Sequence, residues 1–203
     1  MWLGAVLALP VSAQAISTIR IAPSKPDAAS VFPGWVRQAP FAETVRIELE
    51  LGDDPYNAVL VMDSEGKQGD QRVLVQFETS LAIGDEGPHI DLLDWKHCVS
   101  EWQALQSTLT GEFVLPGPTV KQATCFPRAT TAELRGALVS ALEKDGGDEV
   151  RTARWLALTD SIKVPGDSPS YVGVSKMRVR IEQLIGQQWK KVTTLEFILP
   201  LGC

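Results

Sequence analysis

Two segments with strictly alternating residues constrain the fold of this chain most. From Val45 to Leu51, and again from Met177 to Glu182, apolar residues occupy every odd position and charged residues occupy every even position. A period of two places successive side chains on opposite faces of a strand, so each segment predicts a strand with one face in the core and the other in water. Further segments predicted as strand are 18–21, 58–62, 72–79, 113–115, 119–120, 171–174 and 192–199.

Helical signals occur in the middle of the chain. Thr130 followed by Glu133 is a capping-box pattern, and the leucines that follow at 134, 138 and 142 lie on one stripe. Apolar residues from Leu92 to Leu105 also recur at helical spacing, with Asp91 as a candidate N-cap and Asp94 in the first turn. The period of residues 150–160 does not distinguish helix from strand.

These elements together predict an α+β fold. Short turns such as 52–55 and 63–70 favour hairpins, so we expect an antiparallel sheet of about five to seven strands with two helices packed on one face. A chain of 203 residues is long enough for one well-cored domain, which we expect over residues 41–203. The proline-rich residues 16–40 are expected to form an extended N-terminal arm that lies on this domain.

The first fifteen residues predict export. They form an apolar run that ends in Ala13, Gln14 and Ala15, which fits a signal peptidase site, although no Lys or Arg precedes the run. The alternative is a buried N-terminal helix or strand. The run is too short to span a membrane as a helix, so we expect a periplasmic or secreted protein that is not inserted in the membrane after cleavage at residue 15.

If the protein is exported, its cysteines are expected to form a disulfide, because an oxidising compartment allows such bonds. Three cysteines give three possible single bridges and one odd thiol. A bridge between Cys98 and Cys125 is the first choice, since it would close a loop rich in Gly and Pro. A bridge between Cys125 and Cys203 is the rival, and the spacings match no zinc motif.

Charge narrows the class of partner. The chain has a formal charge of -6, which argues against nucleic acid and anionic membrane surfaces as partners. Four of those six charges come from residues 84–102, where five acids outnumber Lys96. A cationic extracytoplasmic protein is therefore the predicted partner.

Residues 84–102 also hold both histidines of the chain and are the candidate functional stretch. The candidate binding residues are Asp85, Glu86, His89, Asp91, Asp94, His97 and Glu101. Four of them, His89, Asp91, Asp94 and His97, have side chains suited to a divalent metal, although their spacing matches no standard motif. The competing interpretation is that the acids serve a helix terminus and the histidines are ordinary surface residues, in which case the protein needs no cofactor.

Catalytic signatures are sparse. No Gly-x-Ser-x-Gly motif occurs to present a serine to His89 or His97, so a serine or cysteine hydrolase is not indicated. The sequence favours an exported, non-enzymatic binding protein, such as an inhibitor or immunity-type protein, that docks its acidic stretch onto a basic partner. The alternative is a small metal-assisted hydrolase. A third hypothesis is a sugar-binding or envelope structural module that uses exposed tryptophans such as Trp35 or Trp189. The oligomeric state stays open.

Overall fold

A computed structural model of the chain describes residues 16–23, 34–64, 71–84, 88–109 and 111–201. Of these residues, 43% lie in strands and 17% in helices. The strands are β1 (Ile16–Ala22), β2 (Trp35–Gln38), β3 (Thr44–Glu48), β4 (Val59–Ser64), β5 (Gln71–Ile83), β6 (Ile90–Asp91), β7 (Cys98–Val99), β8 (Gln103–Ala104), β9 (Phe113–Val114), β10 (Ser170–Ile185) and β11 (Gln188–Ile198). The helices are α1 (Val120–Ala123), α2 (Thr131–Lys144) and α3 (Glu149–Thr159).

The strands form two sheets rather than one. A small antiparallel sheet has the order β2, β1, β4, β9, and a larger, curled sheet has the order β3, β11, β10, β5, β6, with β7 and β8 also paired to β5. The larger sheet is mixed, because β3 lies parallel to β11. The predicted α+β fold with a single antiparallel sheet is therefore wrong. Alternation identifies the buried face of a strand but not its neighbour, and the turn after β3 leads to the small sheet instead of closing a hairpin.

One face of the larger sheet holds both hydrophobic cores. On β5, Val73, Val75 and Phe77 pack with residues of the small sheet in the first core. Leu81 and Ile83 lie on the same face farther along and pack against α2 in the second core. The odd-numbered residues Met177 to Ile181 of β10 join the first core, as their alternation predicts. The even-numbered residues of these strands therefore lie on the face turned away from the small sheet.

The segment from residue 91 to residue 105 is not the predicted helix. It runs along β5 as an interrupted antiparallel edge, in which β6, β7 and β8 pair with successive parts of that strand. Asp91 is a strand residue opposite Ala82 rather than an N-cap. The spacing of apolar residues gave the wrong prediction because the chain leaves the sheet edge twice, and a strand interrupted in this way no longer shows a period of two.

The second helical prediction is confirmed. The side chain of Thr130 caps α2, Glu133 completes the capping box, and Leu134, Leu138 and Leu142 are buried against Leu81 and Ile83. The ambiguous segment 150–160 lies almost wholly in α3, which begins after the N-cap Asp148. These two helices cover the second core at one end of the larger sheet.

A disulfide joins Cys98 to Cys125, as predicted, with a Cα to Cα distance of 5.8 Å. It ties β7, at the edge of the larger sheet, to the chain just after α1. Residues 16–22 of the predicted arm form β1, which lies between β2 and β4. The predicted signal peptide, Asp85, Glu86 and Cys203 lie outside the described residues.

Candidate binding groove beside helix α2

The candidate stretch leaves the edge of the sheet between β6 and β7 and lies beside α2. Leu92 is buried in the second core, and the ring of Trp95 packs on Phe126 with a centroid distance of 5.9 Å. The backbone returns to the sheet at Cys98, which pairs with Thr79. Residues 92–97 therefore form an excursion with one apolar anchor at Leu92 and another at Trp95.

Two ion pairs hold this excursion to the two ends of α2. Lys96 Nζ lies 2.6 Å from Glu133 Oε1 in the first turn, and it also donates to the carbonyl of Arg128 at 3.1 Å. Lys144 Nζ, in the last turn, lies 2.8 Å from Asp94 Oδ2. The hydrogen bond from Lys144 lowers the pKa of Asp94, and hydrogen bonds from Lys96 and Thr130 lower the pKa of Glu133 to about 2. Asp94 therefore does not serve the terminus of a local helix, as the sequence suggested, but pairs with a residue fifty positions away.

A groove of about 510 Å³ lies between the excursion and α2. Small residues open it on the helix side, because Gly136 and Ser140 lack the bulk that would fill the gap, and Leu93 and Trp95 contribute apolar surface on the other side. The groove is further lined by Asp91, Leu92, Asp94, Ala137, Ala141, Lys144 and Asp145. Three of these residues are acidic and one is basic. The groove therefore combines apolar walls with a surplus of negative charge, which suits an aliphatic chain that ends in a cation.

A second groove, of about 620 Å³, lies between α3 and the start of the same stretch. Pro88 and His89 form one side, and Trp155, Arg151 and Arg154 contribute to the other. Gly84 lets the backbone of His89 pack closely on it, because a Cβ at position 84 would lie 2.8 Å from the Cα of His89. The predicted stretch therefore borders the second groove at residues 88–89 and the first groove at residues 91–95.

His89 and Asp91 form a pair on the stretch. His89 Nε2 lies 3.3 Å from Asp91 Oδ1, and the imidazole ring makes an edge contact with Tyr171 at a centroid distance of 6.2 Å. Burial raises the pKa of Asp91, and the neighbouring His89 and a hydrogen bond from the backbone of Leu201 partly oppose that rise. The pair is a local feature, because neither Asp94 nor His97 belongs to it.

The proposed metal ligands are not brought together. Asp94 pairs with Lys144, and His97 Nδ1 donates to the carbonyl of Trp95 at 3.1 Å. Within residues 16–23, 34–64, 71–84, 88–109 and 111–201, no group of three or more His, Cys, Asp or Glu side chains is placed to hold a metal ion. Glu101 is exposed and borders neither groove. The geometry therefore does not support the four-ligand set of His89, Asp91, Asp94 and His97.

The helix side of the first groove was not predicted from the sequence. Gly136 and Ser140 are spaced four residues apart on α2, and Lys144 follows four residues later. This spacing places them on one helix face, away from the leucine stripe, so the face itself could have been predicted from the sequence. It indicates a narrow face on α2 but does not identify which distant segment lies beside it.

Comparisons with protein-family models, with curated proteins and with solved structures each gave no match. The helices in the described part of the chain are all too short or too polar to cross a membrane.

Proposed function

We propose that this chain is an exported, non-enzymatic binding protein that holds a basic segment of a partner protein in the groove beside α2. The observation that carries the proposal is the composition of the groove: apolar walls from Leu93 and Trp95, small residues on α2, and the acids Asp94 and Asp145 at its border. A long cationic side chain buries its aliphatic stem in such a groove and keeps its charged end beside the carboxylates. An inhibitor or immunity-type protein that docks on a cationic target would use this arrangement.

Charge complementarity selects the occupant. Asp94 forms an ion pair with Lys144 at 2.8 Å, and Asp145 forms a longer one with Arg151 at 3.3 Å. All four of these side chains are substantially exposed, so both pairs can exchange for an incoming cation at small cost. The disulfide between Cys98 and Cys125 supports an extracytoplasmic location, because such bonds persist in oxidising compartments.

The direct test uses a labelled peptide of alternating Arg and Leu as the probe, with a Glu and Leu peptide of the same length as its counterpart. We expect the cationic peptide to bind at 50 mM salt and to bind less tightly at 500 mM salt, because screening weakens exposed charge contacts. Equal binding of the acidic peptide would contradict the proposal. Pull-down from an extracytoplasmic extract at the same two salt concentrations then extends the test to proteins.

Variants at Gly136 separate groove binding from general attraction to an acidic chain. The position of a Cβ at Gly136 is open, with no atom within 4 Å, so Gly136→Phe fills the groove without a backbone clash. We expect it to weaken peptide binding at least tenfold. Gly136→Ala is the matched control, which should keep binding and stabilise α2 by up to about 1 kcal/mol. Unchanged binding by Gly136→Phe would exclude the groove.

Charge variants complete the test. Asp145→Asn combined with Asp94→Asn should weaken binding and flatten its salt dependence, whereas Glu50→Gln, which removes an exposed charge near the turn after β3, should not. The same assay tests the first two acids of the stretch through Asp85→Asn with Glu86→Gln. If those two changes alone abolish binding while Gly136→Phe has no effect, the contact lies at Asp85 and Glu86 and not in the groove.

A further inference from the structure

The face of the larger sheet turned away from the small sheet carries a row of five interacting side chains. Arg180 and Glu182 lie on β10, and Arg72 lies opposite Glu182 on β5. Trp189 on β11 and Trp102, between β7 and β8, stand at the two ends of the row. Val73, Val179 and Ile181, each next in sequence to a residue of the row, are buried in the core, so the row faces outward.

Glu182 fixes the centre of the row. Its side chain is only 8% exposed, and it forms ion pairs with the Nε atoms of two arginines. Arg72 donates to Oε2, and Arg180 Nε lies 3.0 Å from Oε1. Both guanidinium groups therefore contact one carboxylate through the nitrogen nearest the side-chain stem, Arg72 by a hydrogen bond and Arg180 by an ion pair.

A tryptophan ring lies against each arginine. The Cζ atom of Arg72 lies 4.6 Å from the ring centroid of Trp189, and that of Arg180 lies 4.5 Å from the centroid of Trp102. Cation–π stacking and the shared carboxylate restrict the two side chains to one geometry before any ligand binds. The arginines remain accessible, with side-chain exposures of 40% and 29%.

Each arginine contacts Glu182 through its Nε atom, so neither of these contacts uses the two terminal guanidinium nitrogens. The row carries two positive charges and one negative charge, so its local charge is positive on a chain whose formal charge is -6. Two preorganised guanidinium groups with planar edges bind an oxyanion strongly, since each can donate two parallel hydrogen bonds. We propose that this row binds an acidic sugar, with its carboxylate or sulfate at the terminal guanidinium nitrogens of Arg72 and Arg180 and its ring on Trp189.

The tryptophans favour a sugar over a simple inorganic anion. Trp189 is 37% exposed, so part of its ring stays uncovered by Arg72. The C–H face of a pyranose is an apolar surface that packs on such a ring, whereas phosphate or sulfate ions gain nothing from it. The ligand class is therefore an acidic polysaccharide, recognised by its charged substituent and by the face of its ring. No residue of the row borders the groove beside α2, so the two binding proposals stand or fall separately.

The test measures binding of two acidic polysaccharides, polygalacturonate for carboxylates and heparin for sulfates, by isothermal titration calorimetry on the full chain. Neutral dextran of similar size is the negative control for charge, and poly-glutamate is the control for a protein ligand. We expect at least one acidic polysaccharide to bind, and Arg72→Gln and Trp189→Ala each to weaken that binding about tenfold or more. The choice between polygalacturonate and heparin identifies the anionic group.

Two further variants distinguish a built site from a positively charged surface. Arg72→Lys keeps the charge but loses the planar fork, so it should lose most of the affinity. Arg46→Gln removes a positive charge from an exposed ion pair with Glu48 on β3 of the same sheet and should leave binding unchanged. Circular dichroism and melting curves identify any variant that fails to fold, and Arg72→Lys provides the decisive comparison if Trp189→Ala unfolds.

Three results would overturn the proposal. They are no binding of either acidic polysaccharide at low salt, equal loss of affinity in Arg46→Gln and Arg72→Gln, or full retention of affinity in Arg72→Lys. Poly-glutamate that binds as tightly as the polysaccharides, with the same loss in Arg72→Gln but none in Trp189→Ala, would instead assign the row to an acidic protein segment.

Discussion

The hydroxyl of Thr79 donates a hydrogen bond of 2.5 Å to the backbone carbonyl of Cys125. Thr79 is buried on β5 between the part of the strand that contacts the small sheet and the part that contacts α2. Cys98 pairs with Thr79 on the neighbouring edge and is bonded to Cys125. One side chain therefore connects the junction of the two cores to both halves of the disulfide.

Replacement of Thr79 by Val should destabilise the protein by about 1–2 kcal/mol, because the carbonyl of Cys125, a partly buried residue, loses its donor while the volume of the side chain is conserved. Chemical denaturation with urea measures the change. Thr79→Ser keeps the hydroxyl and loses only a methyl group, so it should cost about 1 kcal/mol or less. Equal stability of the Val variant and the wild type would show that the hydrogen bond contributes nothing.

Removal of the disulfide by the double replacement Cys98→Ser with Cys125→Ser should destabilise the fold more, by about 3–4 kcal/mol. The bridge closes a sequence separation of 27 residues, and the chain-entropy model assigns this order of stabilisation to a loop of that size. Thermal melting with and without reductant measures the effect. Cys203→Ser is the control and should melt as the wild type does. A destabilised Cys203→Ser variant would support the rival bridge between Cys125 and Cys203.

The ion pair between Lys96 and Glu133 predicts a stability that depends on acid pH. The folded pKa of Glu133 is lowered from 4.5 to about 2, chiefly by the hydrogen bond from Lys96. A carboxylate with a lowered folded pKa adds stability above its unfolded pKa, and this stability is lost as the pH falls from about 4.5 towards 2. Glu133→Gln keeps a capping-box residue and removes the charge. Its melting temperature should be lower than that of the wild type by a few degrees at most at pH 7, and the two should converge near pH 2.

Glu143→Gln is the matched control for this pair, because Glu143 lies on α2 and forms no ion pair among the described residues. We expect its melting temperature to follow the wild type from pH 2 to pH 7. A difference between Glu133→Gln and the wild type that persists unchanged down to pH 2 would indicate that the Gln side chain disturbs the cap, and that the charge is not responsible.

Local signals in the sequence predicted local structure well. The capping box of Thr130 and Glu133 and the leucine stripe behind it specify a helix whatever surrounds them, and the alternation around Val179 specifies a strand. Local signals do not predict which strand pairs with which. The parallel pairing of Thr44 with Thr194 joins residues 150 positions apart, and no local pattern encodes it.

The candidate site shows the same division. His89, Asp91 and Asp94, which the density of charged residues marked as candidate binding residues, border the two grooves, and their role in binding stays a prediction. The helical spacing of Leu92 and Trp95 was misread, since both residues are apolar anchors of an excursion from an edge strand. The opposite side of the groove comes from α2, and only tertiary packing brings Gly136 beside Leu93. Contacts with the rest of the fold therefore determine the structure of this segment, although its apolar spacing in isolation is typical of a helix.

Asp91 should show a pH dependence of the opposite sign to that of Glu133. Burial raises its folded pKa above the usual 3.8, so the folded state carries an energetic penalty whenever Asp91 is ionised. At pH 7 the penalty is fully present. As the pH falls, the folded state takes up its proton before the unfolded state does, and the penalty disappears below about pH 3.8. Asp91→Asn, which is neutral at every pH and keeps an oxygen that can accept from the backbone of Leu201, should therefore melt above the wild type at pH 7.

Melting curves of Asp91→Asn and the wild type from pH 3 to pH 7 check this sign, and the two should converge at the acid end. Asp94→Asn is the control with the opposite expectation, because its hydrogen bond with Lys144 lowers its pKa and ionised Asp94 stabilises the fold. It should melt below the wild type at pH 7 and approach it in acid. If Asp91→Asn melts below the wild type at pH 7, then the contact between the carboxylate and His89 outweighs the cost of burial, and the pair contributes to the stability of the stretch.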